Sequence, residues 1–232
     1  MTLAVVPVAP LERGKLRLST IFSREERKML MKAMLTDVLL ALEEAKSVEE
    51  TLVVTSDEEI LKLARRFGVS SLKEGRPEEL NSAVREATNW ALKSGFEGML
   101  VIHADLPLVK PHLIDNVTSV EEPCVVLCPS RDGGTNMLFR SPPGVIDPLF
   151  GPLSFARHLE NARRVGVEAR VFDSFFASLD VDTPSDLYPI LIYGFGTHTY
   201  GCVKSLSSRL MSDKERLRRA LAGNDYHGYA ST

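Results

Sequence analysis

The sequence contains few cysteines and little excess charge of either sign. Cys124, Cys128 and Cys202 are an odd number of thiols in a chain of 232 residues, which argues against a disulfide framework and favours a reduced, intracellular protein. Cys124 and Cys128 fall on one face of a predicted strand, and we interpret them as core thiols. The formal net charge of −3 would not attract a polyanion, so nucleic acid is not expected as the main partner.

Long uninterrupted hydrophobic runs are also absent from the sequence. The longest apolar helix pattern, around residues 29–42, contains Lys32 and Asp37, so we predict no membrane span. The first apolar segment begins at residue 3 without a basic segment before it, which predicts no signal peptide. We therefore expect a cytoplasmic protein without a membrane partner.

The loop after this first segment lacks the Gly-Lys-Ser/Thr arrangement of a P-loop. It is basic instead, because APLERGKLRLS places Arg13, Lys15 and Arg17 close together. Taken alone, the loop is explained somewhat better as a solvated surface loop than as a phosphate-binding one. Its position after a strand keeps the second interpretation open.

Strand and helix patterns alternate along most of the chain. Continuous apolar runs predict buried parallel strands at LAVVPV (3–8), TLVVTS (51–56), GMLVIH (98–103) and PCVVLC (123–128). NMLF (136–139), VEARVFD and FFASLD are predicted as further strands. Helices are predicted after the Ser23–Glu26 capping box, from Asp57 to about Gly68, over Pro77–Lys93, after Pro111, over Pro152–Arg164 and after Pro184.

This alternation predicts an α/β fold with one mainly parallel, Rossmann-like sheet and helices on both faces. Residues 1–204 are expected to form a single domain, and residues 205–232 a helical extension with a frayed tail. We also expect the segment 194–222 to form a homodimer contact and to hold no catalytic residue.

Three aspartates follow predicted strands at the edge where open parallel sheets bind ligands. Asp105 follows GMLVIH, and Asp180 and Asp182 end FFASLD. Helix capping accounts for Thr183 and Asp186 in the same stretch but leaves Asp180 and Asp182 unexplained. Three carboxylates on two strand ends would make an oxygen-only site suited to Mg²⁺ or Mn²⁺.

Two further segments are candidate anion sites. RDGGTN (131–136) offers consecutive glycine amides and the Thr135 hydroxyl, and FGPLSF (150–155) places Gly151 and Ser154 at a helix N-terminus. A plain turn and a plain helix cap would explain each segment separately. Taken singly, each segment is better explained in this plain way, but the occurrence of both is harder to explain without an anion site.

Four segments in this order resemble the 2-phospho-L-lactate guanylyltransferases: HADLPLV, RDGGTN, FGPLSFARHLENAR and LDVDTPSDL. GKLRLSTIFSREERKMLMKAMLTDVL and VVTSDEE fit the same family, and the resemblance covers roughly residues 3–200. It implies the nucleotidyltransferase fold of the molybdenum-cofactor guanylyltransferases. It also implies transfer of GMP from GTP to the phosphate of 2-phospho-L-lactate, with release of diphosphate, in the biosynthesis of the deazaflavin coenzyme.

The resemblance further implies roles for individual residues. Asp105, Asp180 and Asp182 would hold Mg²⁺ or Mn²⁺, and Thr135, Gly151 and Ser154 would hold the phospho-acid. Lys15, Arg17 and Asp105 would be catalytic, and Pro7, Lys15, Ser56 and Asn81 would surround the nucleotide. The sequence departs from the family at Glu79, where glycine is usual, and at Ala9, where lysine is common.

The implied nucleophile is a phosphate oxygen of the acceptor, which attacks the α-phosphorus of GTP in line. A phosphomonoester with a second pKa of about 6 is already ionised at neutral pH, so no general base is required. Phosphoenolpyruvate and 3-phosphoglycerate remain alternative acceptors. A molybdenum-cofactor-type or nucleotide-sugar transferase and a non-catalytic GTP-binding regulatory module remain alternative functions.

Overall fold

The computed structural model describes residues 1–73, 80–120 and 123–210, with side chains described as far as residue 206. Seven strands form one sheet in the order β3-β2-β1-β4-β6-β5-β7. The strands are β1 (Thr2–Pro7), β2 (Glu50–Thr55), β3 (Ser70–Lys73), β4 (Gly98–Ile102), β5 (Cys124–Pro129), β6 (Thr135–Ser141) and β7 (Glu168–Val171). Only β6 runs against its neighbours, because a short loop at residues 130–134 folds it back beside β5. The prediction of a mainly parallel sheet is confirmed.

Helices cover both faces of this sheet. They are α1 (Arg24–Glu44), α2 (Glu58–Arg66), α3 (Leu80–Lys93), α4 (Pro111–Thr118), α5 (Ser154–Val165), α6 (Leu187–Tyr193) and α7 (His198–Leu210). The described residues form two hydrophobic cores, which the sheet separates. The first core contains the inner faces of α1, α2, α4, α6 and α7, and the second contains the inner faces of α3 and α5. β1 supplies Ala4 and Val6 to the first core and Leu3 and Val5 to the second. β1 is therefore buried on both faces, and this explains the continuous apolar sequence from which it was predicted.

Local capping fixes the ends of the helices around the site. Ser23 and Glu26 form the predicted capping box of α1. Asp57 caps α2 and also accepts a hydrogen bond from the Leu11 N–H (2.9 Å), which attaches the basic loop to this helix. Gly166 ends α5 with φ 73°, a backbone conformation that favours glycine.

The structure differs from the sequence prediction in two strands. β3 was not predicted, since it is a four-residue edge strand with only half-buried inner positions. FFASLD was predicted as a strand and is not one: the chain leaves β7 after Val171 and passes through turns, including a Ser178 N–H to Ser174 carbonyl bond, before a short 3₁₀ helix at Pro184–Asp186. Asp180 and Asp182 therefore lie in a loop rather than at a strand end.

The C-terminal part of the described chain is helical. The Asp37 carboxylate of α1 accepts the N–H groups of His198 and Thr199 (both 2.8 Å), and so caps α7. α7 continues through residues 204 and 205, where a domain boundary was predicted. The rest of the predicted helical extension, residues 211–232, lies outside the described residues. No helix in the described part of the chain is both long and apolar enough to span a bilayer.

Candidate active site

A cleft of about 360 Å³ lies at the carboxyl ends of β1 and β4, where the strand-end rule placed the site. One wall is apolar and is formed by Pro7, Val8, Ala9, Gly14, Met31, Met34, Val54, Leu80, Ala83 and Ala104. The rest of the lining, the polar wall, is formed by Lys15, His103, Asp105 and Asp182. The cleft thus offers an apolar surface to one part of a ligand and charged groups to another.

Lys15 occupies the centre of the polar wall. Its ammonium contacts Asp105 and lies 2.6 Å from Asp182 Oδ1, and only 10% of the side chain is exposed. Burial alone would lower the pKa of this ammonium, but the two carboxylates outweigh burial and raise the pKa well above its ordinary value. The backbone of Lys15 is left-handed (φ 55°), an unfavourable conformation for a side chain with a Cβ. This loop is therefore held in a strained arrangement that directs a permanent positive charge into the cleft.

The carboxylates around Lys15 differ in their charge environment. Burial would raise the pKa of Asp105, but the Lys15 ammonium lowers it, and the Asp105 Oδ1 atom is buried without a hydrogen-bond partner. Burial and the negative charges of Asp105 and Asp182 raise the pKa of Asp180 to about 6. The negative charges of the other two carboxylates repel the ionised form of Asp180. A further cation would relieve this repulsion.

Backbone contacts bring the loop of Asp180 and Asp182 to Asp105 although no strand carries it. The Val181 N–H donates to the Asp105 carbonyl (3.1 Å), and the Asn136 amide donates to the Ala177 carbonyl (3.1 Å) and to Asp180 Oδ1 (3.4 Å). Asp186 accepts the N–H groups of residues 182 and 183 (2.9 and 2.6 Å). Arg131 pairs with Asp186 and donates to the Asp180 carbonyl (3.3 Å).

The donor chemistry of this cluster suits a hard divalent cation, because Asp105 offers an unpaired buried oxygen and Asp180 is destabilised by its neighbours. No group of three or more His, Cys, Asp or Glu side chains in the described residues is arranged to hold a metal ion. Lys15 supplies the cation between Asp105 and Asp182. A metal site formed by all three aspartates therefore stays a prediction.

The predicted acceptor residues form a second, uncharged cluster. The Thr135 hydroxyl lies 3.0 Å from His158 Nδ1. The Ser154 hydroxyl donates a hydrogen bond of 3.1 Å to the Thr135 hydroxyl. Thr135 and Ser154 are almost completely buried, at 2% and 1% exposure. Gly151 lies in the loop that leads into α5 and has a positive φ of 124°, a conformation that favours glycine. The structure therefore brings Thr135, Gly151 and Ser154 together as predicted.

The backbone amides of these loops are not arranged as predicted. Gly133 and Gly134 donate to the Ser130 carbonyl (3.2 Å) and to Asp132 Oδ1 (3.1 Å), so the glycine amides close their own turn instead of forming an open anion nest. At the start of α5, the Ser154 N–H donates to the Gly151 carbonyl (3.1 Å). The Gly133, Gly134 and Ser154 amides are therefore engaged within the protein in this arrangement of the loops, and anion binding at the two segments stays a prediction.

The other residues predicted to contact the triphosphate or the nucleotide do not all line the cleft. Pro7 lines the cleft, and Arg17 is 71% exposed with its guanidinium 3.8 Å from Asp182. Ser56 is half-buried before the cap of α2 and does not line the cleft. The Asn81 amide is engaged on both sides by the Phe150 backbone (3.0 and 2.8 Å), so it attaches α3 to the acceptor loop. Its direct role toward a nucleotide stays a prediction.

Phe150 connects the two clusters. Its ring lies 5.5 Å from the His103 ring, which lines the cleft, and 5.0 Å from the His158 ring, measured between ring centroids. Sequence reasoning missed the contributions of Asn136 and His158. Both stand inside the segments RDGGTN and FGPLSFARHLENAR, but only the fold shows which groups they contact.

Comparisons with known proteins show which family the sequence matches. A family model described as "Guanylyl transferase CofC like" matches residues 2–221. The chain is 37% identical over 206 residues to the 2-phospho-L-lactate guanylyltransferase of Methanocaldococcus vulcanius, covering 88% of this chain and 90% of the relative. It is 36% identical over 209 residues to the enzyme of the same name from Methanothermobacter thermautotrophicus, covering 88% and 91%.

Solved structures share the fold at much lower sequence identity. A protein described as a nucleotide-diphospho-sugar transferase from Desulfovibrio desulfuricans G20 matches with a TM-score of 0.73 and 16% identity, covering 89% of this chain and 95% of that one. A nucleotidyl transferase from Methanothermobacter thermautotrophicus matches with a TM-score of 0.62 and 15% identity, covering 82% and 95%. The chain therefore shares its fold with these two structures.

Proposed function

The chain belongs to the CofC-like guanylyltransferase family, and we propose that it transfers GMP from GTP to the phosphate of 2-phospho-L-lactate. The observation that carries the proposal is the pairing of Lys15 with Asp105 and Asp182 at the polar wall of the cleft. A permanent cation beside hard oxygen ligands suits a triphosphate and its counter-ion. The adjoining apolar wall suits a nucleobase.

The chemistry needs charge neutralisation more than proton transfer. The acceptor phosphate is ionised at neutral pH and attacks the α-phosphorus in line, so the main barrier is the approach of two anions. The Lys15 ammonium and the exposed Arg17 guanidinium are placed to neutralise the triphosphate. This division of labour explains why no histidine is required as a general base.

Magnesium, with manganese as an alternative, is part of the proposal. Asp105, Asp180 and Asp182 would hold it, and when bound it would supply additional positive charge at the reacting phosphates. The buried, unpaired Asp105 Oδ1 atom supports this assignment. Lys15 then has to share the two carboxylates with the metal or move toward the triphosphate.

The acceptor is proposed to bind at Thr135, Gly151 and Ser154, beside Phe150, whose ring contacts both His158 and the cleft residue His103. The test measures diphosphate release from GTP and Mg²⁺ with 2-phospho-L-lactate, phosphoenolpyruvate or 3-phosphoglycerate. The highest kcat/KM is expected with 2-phospho-L-lactate. Release at the same rate without any phospho-acid would contradict guanylyl transfer, and a preference for another acid would replace the proposed acceptor.

A homodimer is also proposed, through an exposed apolar surface beside α6 and α7 that lies mostly before the segment 194–222 expected from the sequence to form the contact. The surface contains Phe175, Tyr188, Leu191, Ile192, Tyr193 and Phe195, which are 40–83% exposed. Contiguous exposed apolar side chains of this kind mark association surfaces. Light scattering is expected to give twice the chain mass, and Phe195→Ser with Ile192→Asp is expected to give monomers. A monomeric unsubstituted protein would contradict the proposal.

A further inference from the structure

His158 is a buried titratable residue that the proposed reaction does not use directly. It lies on α5 with no exposed surface, and both ring nitrogens have partners. The Leu149 N–H donates to His158 Nε2 at 2.8 Å, and the Thr135 hydroxyl lies 3.0 Å from His158 Nδ1. The two contacts together fix the position of the ring hydrogen.

The tautomer follows from the donors. A backbone N–H can only donate, so Nε2 accepts and carries no hydrogen. The neutral ring then carries its hydrogen on Nδ1, which donates to Thr135 Oγ1. Burial and the positive charges of Arg140 and Arg157 lower the pKa of His158 to about 4, which keeps the ring neutral at physiological pH.

The contacts of the Thr135 hydroxyl determine the direction of its hydrogen. Its oxygen accepts hydrogen bonds from His158 Nδ1 (3.0 Å) and from the Ser154 hydroxyl (3.1 Å), which uses both of its lone pairs. The hydroxyl hydrogen must therefore point in the remaining direction. Within the described part of the chain, no hydrogen bond donated by the Thr135 hydroxyl to a protein acceptor is present.

We propose that His158 is a positioning residue of the acceptor site, which orients the Thr135 hydroxyl as a hydrogen-bond donor to the phospho-acid. The inference rests on the proposed function, since it takes the phospho-acid to bind at Thr135. It assigns a task to a neutral imidazole that neither transfers a proton nor contacts the nucleotide. His158 acts through Thr135, so its removal affects the acceptor and leaves GTP binding unchanged.

Two isosteric substitutions separate the two ring nitrogens. In His158→Asn the amide nitrogen can replace Nδ1 as donor to Thr135, whereas in His158→Gln the amide group lies near Nε2 and contacts Leu149. We expect His158→Gln to raise the KM for 2-phospho-L-lactate about five- to tenfold, which is the usual effect of one lost hydrogen bond. His158→Asn should recover most of that loss, and the KM for GTP should stay unchanged in both.

A double-mutant comparison tests whether His158 acts through Thr135. In a Thr135→Val background, His158→Gln should cause no further increase in the KM for the phospho-acid, because the hydroxyl it orients is absent. Equal effects of the Asn and Gln variants, parallel increases in both KM values, or additive effects in the double mutant would overturn the proposal. Activity of the unsubstituted enzyme is measured first, so an inactive enzyme refutes the proposed function and is distinguished from a failure at His158.

A measurement on the unsubstituted protein covers the case in which the His158 variants do not fold. Nitrogen-15 NMR at pH 7 should show His158 with a protonated Nδ1 and an unprotonated Nε2. Addition of 2-phospho-L-lactate should shift the Nδ1–H resonance, and addition of 3′-GMP, a phosphate ester without the lactyl carboxylate, should not. A hydrogen on Nε2, or an Nδ1–H resonance that does not respond to the phospho-acid, would overturn the assignment.

Discussion

The two halves of the candidate site use opposite physical means. The donor half is a cleft in which Lys15, Asp105 and Asp182 form ion pairs. The acceptor half contains Thr135, Ser154 and neutral His158, which form hydrogen bonds away from solvent. Both would bind phosphates, so phosphate binding does not demand one type of site. A triphosphate needs strong neutralisation, whereas selection among small phospho-acids benefits from fixed directional donors.

Removing charge from the donor half should have the largest effect. Asp105→Asn keeps the shape but removes a buried charge beside Lys15, and we expect kcat to fall by roughly 10²–10³. Steady-state kinetics at saturating Mg²⁺ measure the effect, and thermal unfolding of the variant shows whether the fold is retained. Near-normal turnover in a folded variant would remove Asp105 from the catalytic set.

The acceptor half should respond in affinity instead of turnover. Thr135→Val removes the hydroxyl and keeps the shape, so the KM for the phospho-acid should rise about tenfold while the KM for GTP stays constant. Thr135→Ser is the matched control, because it retains the hydroxyl and should lose little. An equal rise in both KM values would mean that Thr135 serves the fold and not the acceptor.

Acidification should weaken the acceptor half through His158. The folded pKa of about 4 lies below the ordinary value of 6.5, so the unfolded chain binds the proton first as pH falls. The stabilisation is complete above about pH 6.5 and is lost by about pH 4, with a total of up to about 3 kcal/mol. Urea unfolding between pH 7 and 4 measures this loss. His158→Asn should show a shallower pH dependence, and an unchanged slope would contradict the neutral, buried imidazole.

The donor half could be predicted further from sequence than the acceptor half. Asp105 follows a continuous apolar strand, and Lys15 lies in the loop after another, so the strand-end rule brought both to the cleft. Asp182 lines the cleft and Asp180 lies near it, but neither ends a strand as predicted, and their role as metal ligands stays a prediction. Backbone bonds to Asp105 and Asp186 hold their loop there, and these bonds leave no periodic pattern in the sequence.

Long-range side-chain contacts explain what sequence analysis missed. Asn81 bonds to the backbone of Phe150, which is 69 residues away, so its use as a clamp could not be inferred from EELNSAV. His158 stands among the ordinary residues of an amphipathic helix, and only the packing of α5 on the sheet shows that its ring meets Thr135. The same kind of contact, Asp37 with the N-terminus of α7, explains why GFGTHTYG leads into a helix.

The smallest effect is expected from the exposed edge of the donor half. Arg17 is 71% exposed and its guanidinium lies 3.8 Å from Asp182, so solvent and salt screen its charge. Arg17→Gln should raise the KM for GTP about two- to threefold at low salt, and the difference should shrink as ionic strength rises.

Arg13→Gln removes the same charge from the same loop and serves as the matched control. A larger effect of Arg17→Gln than of Arg13→Gln would show that position matters as well as charge. If the two variants behave alike, Arg17 contributes only to the general field of the loop, and Lys15 remains the loop cation that acts at a defined place. A change in the KM for the phospho-acid with either variant would contradict the separation of the two halves.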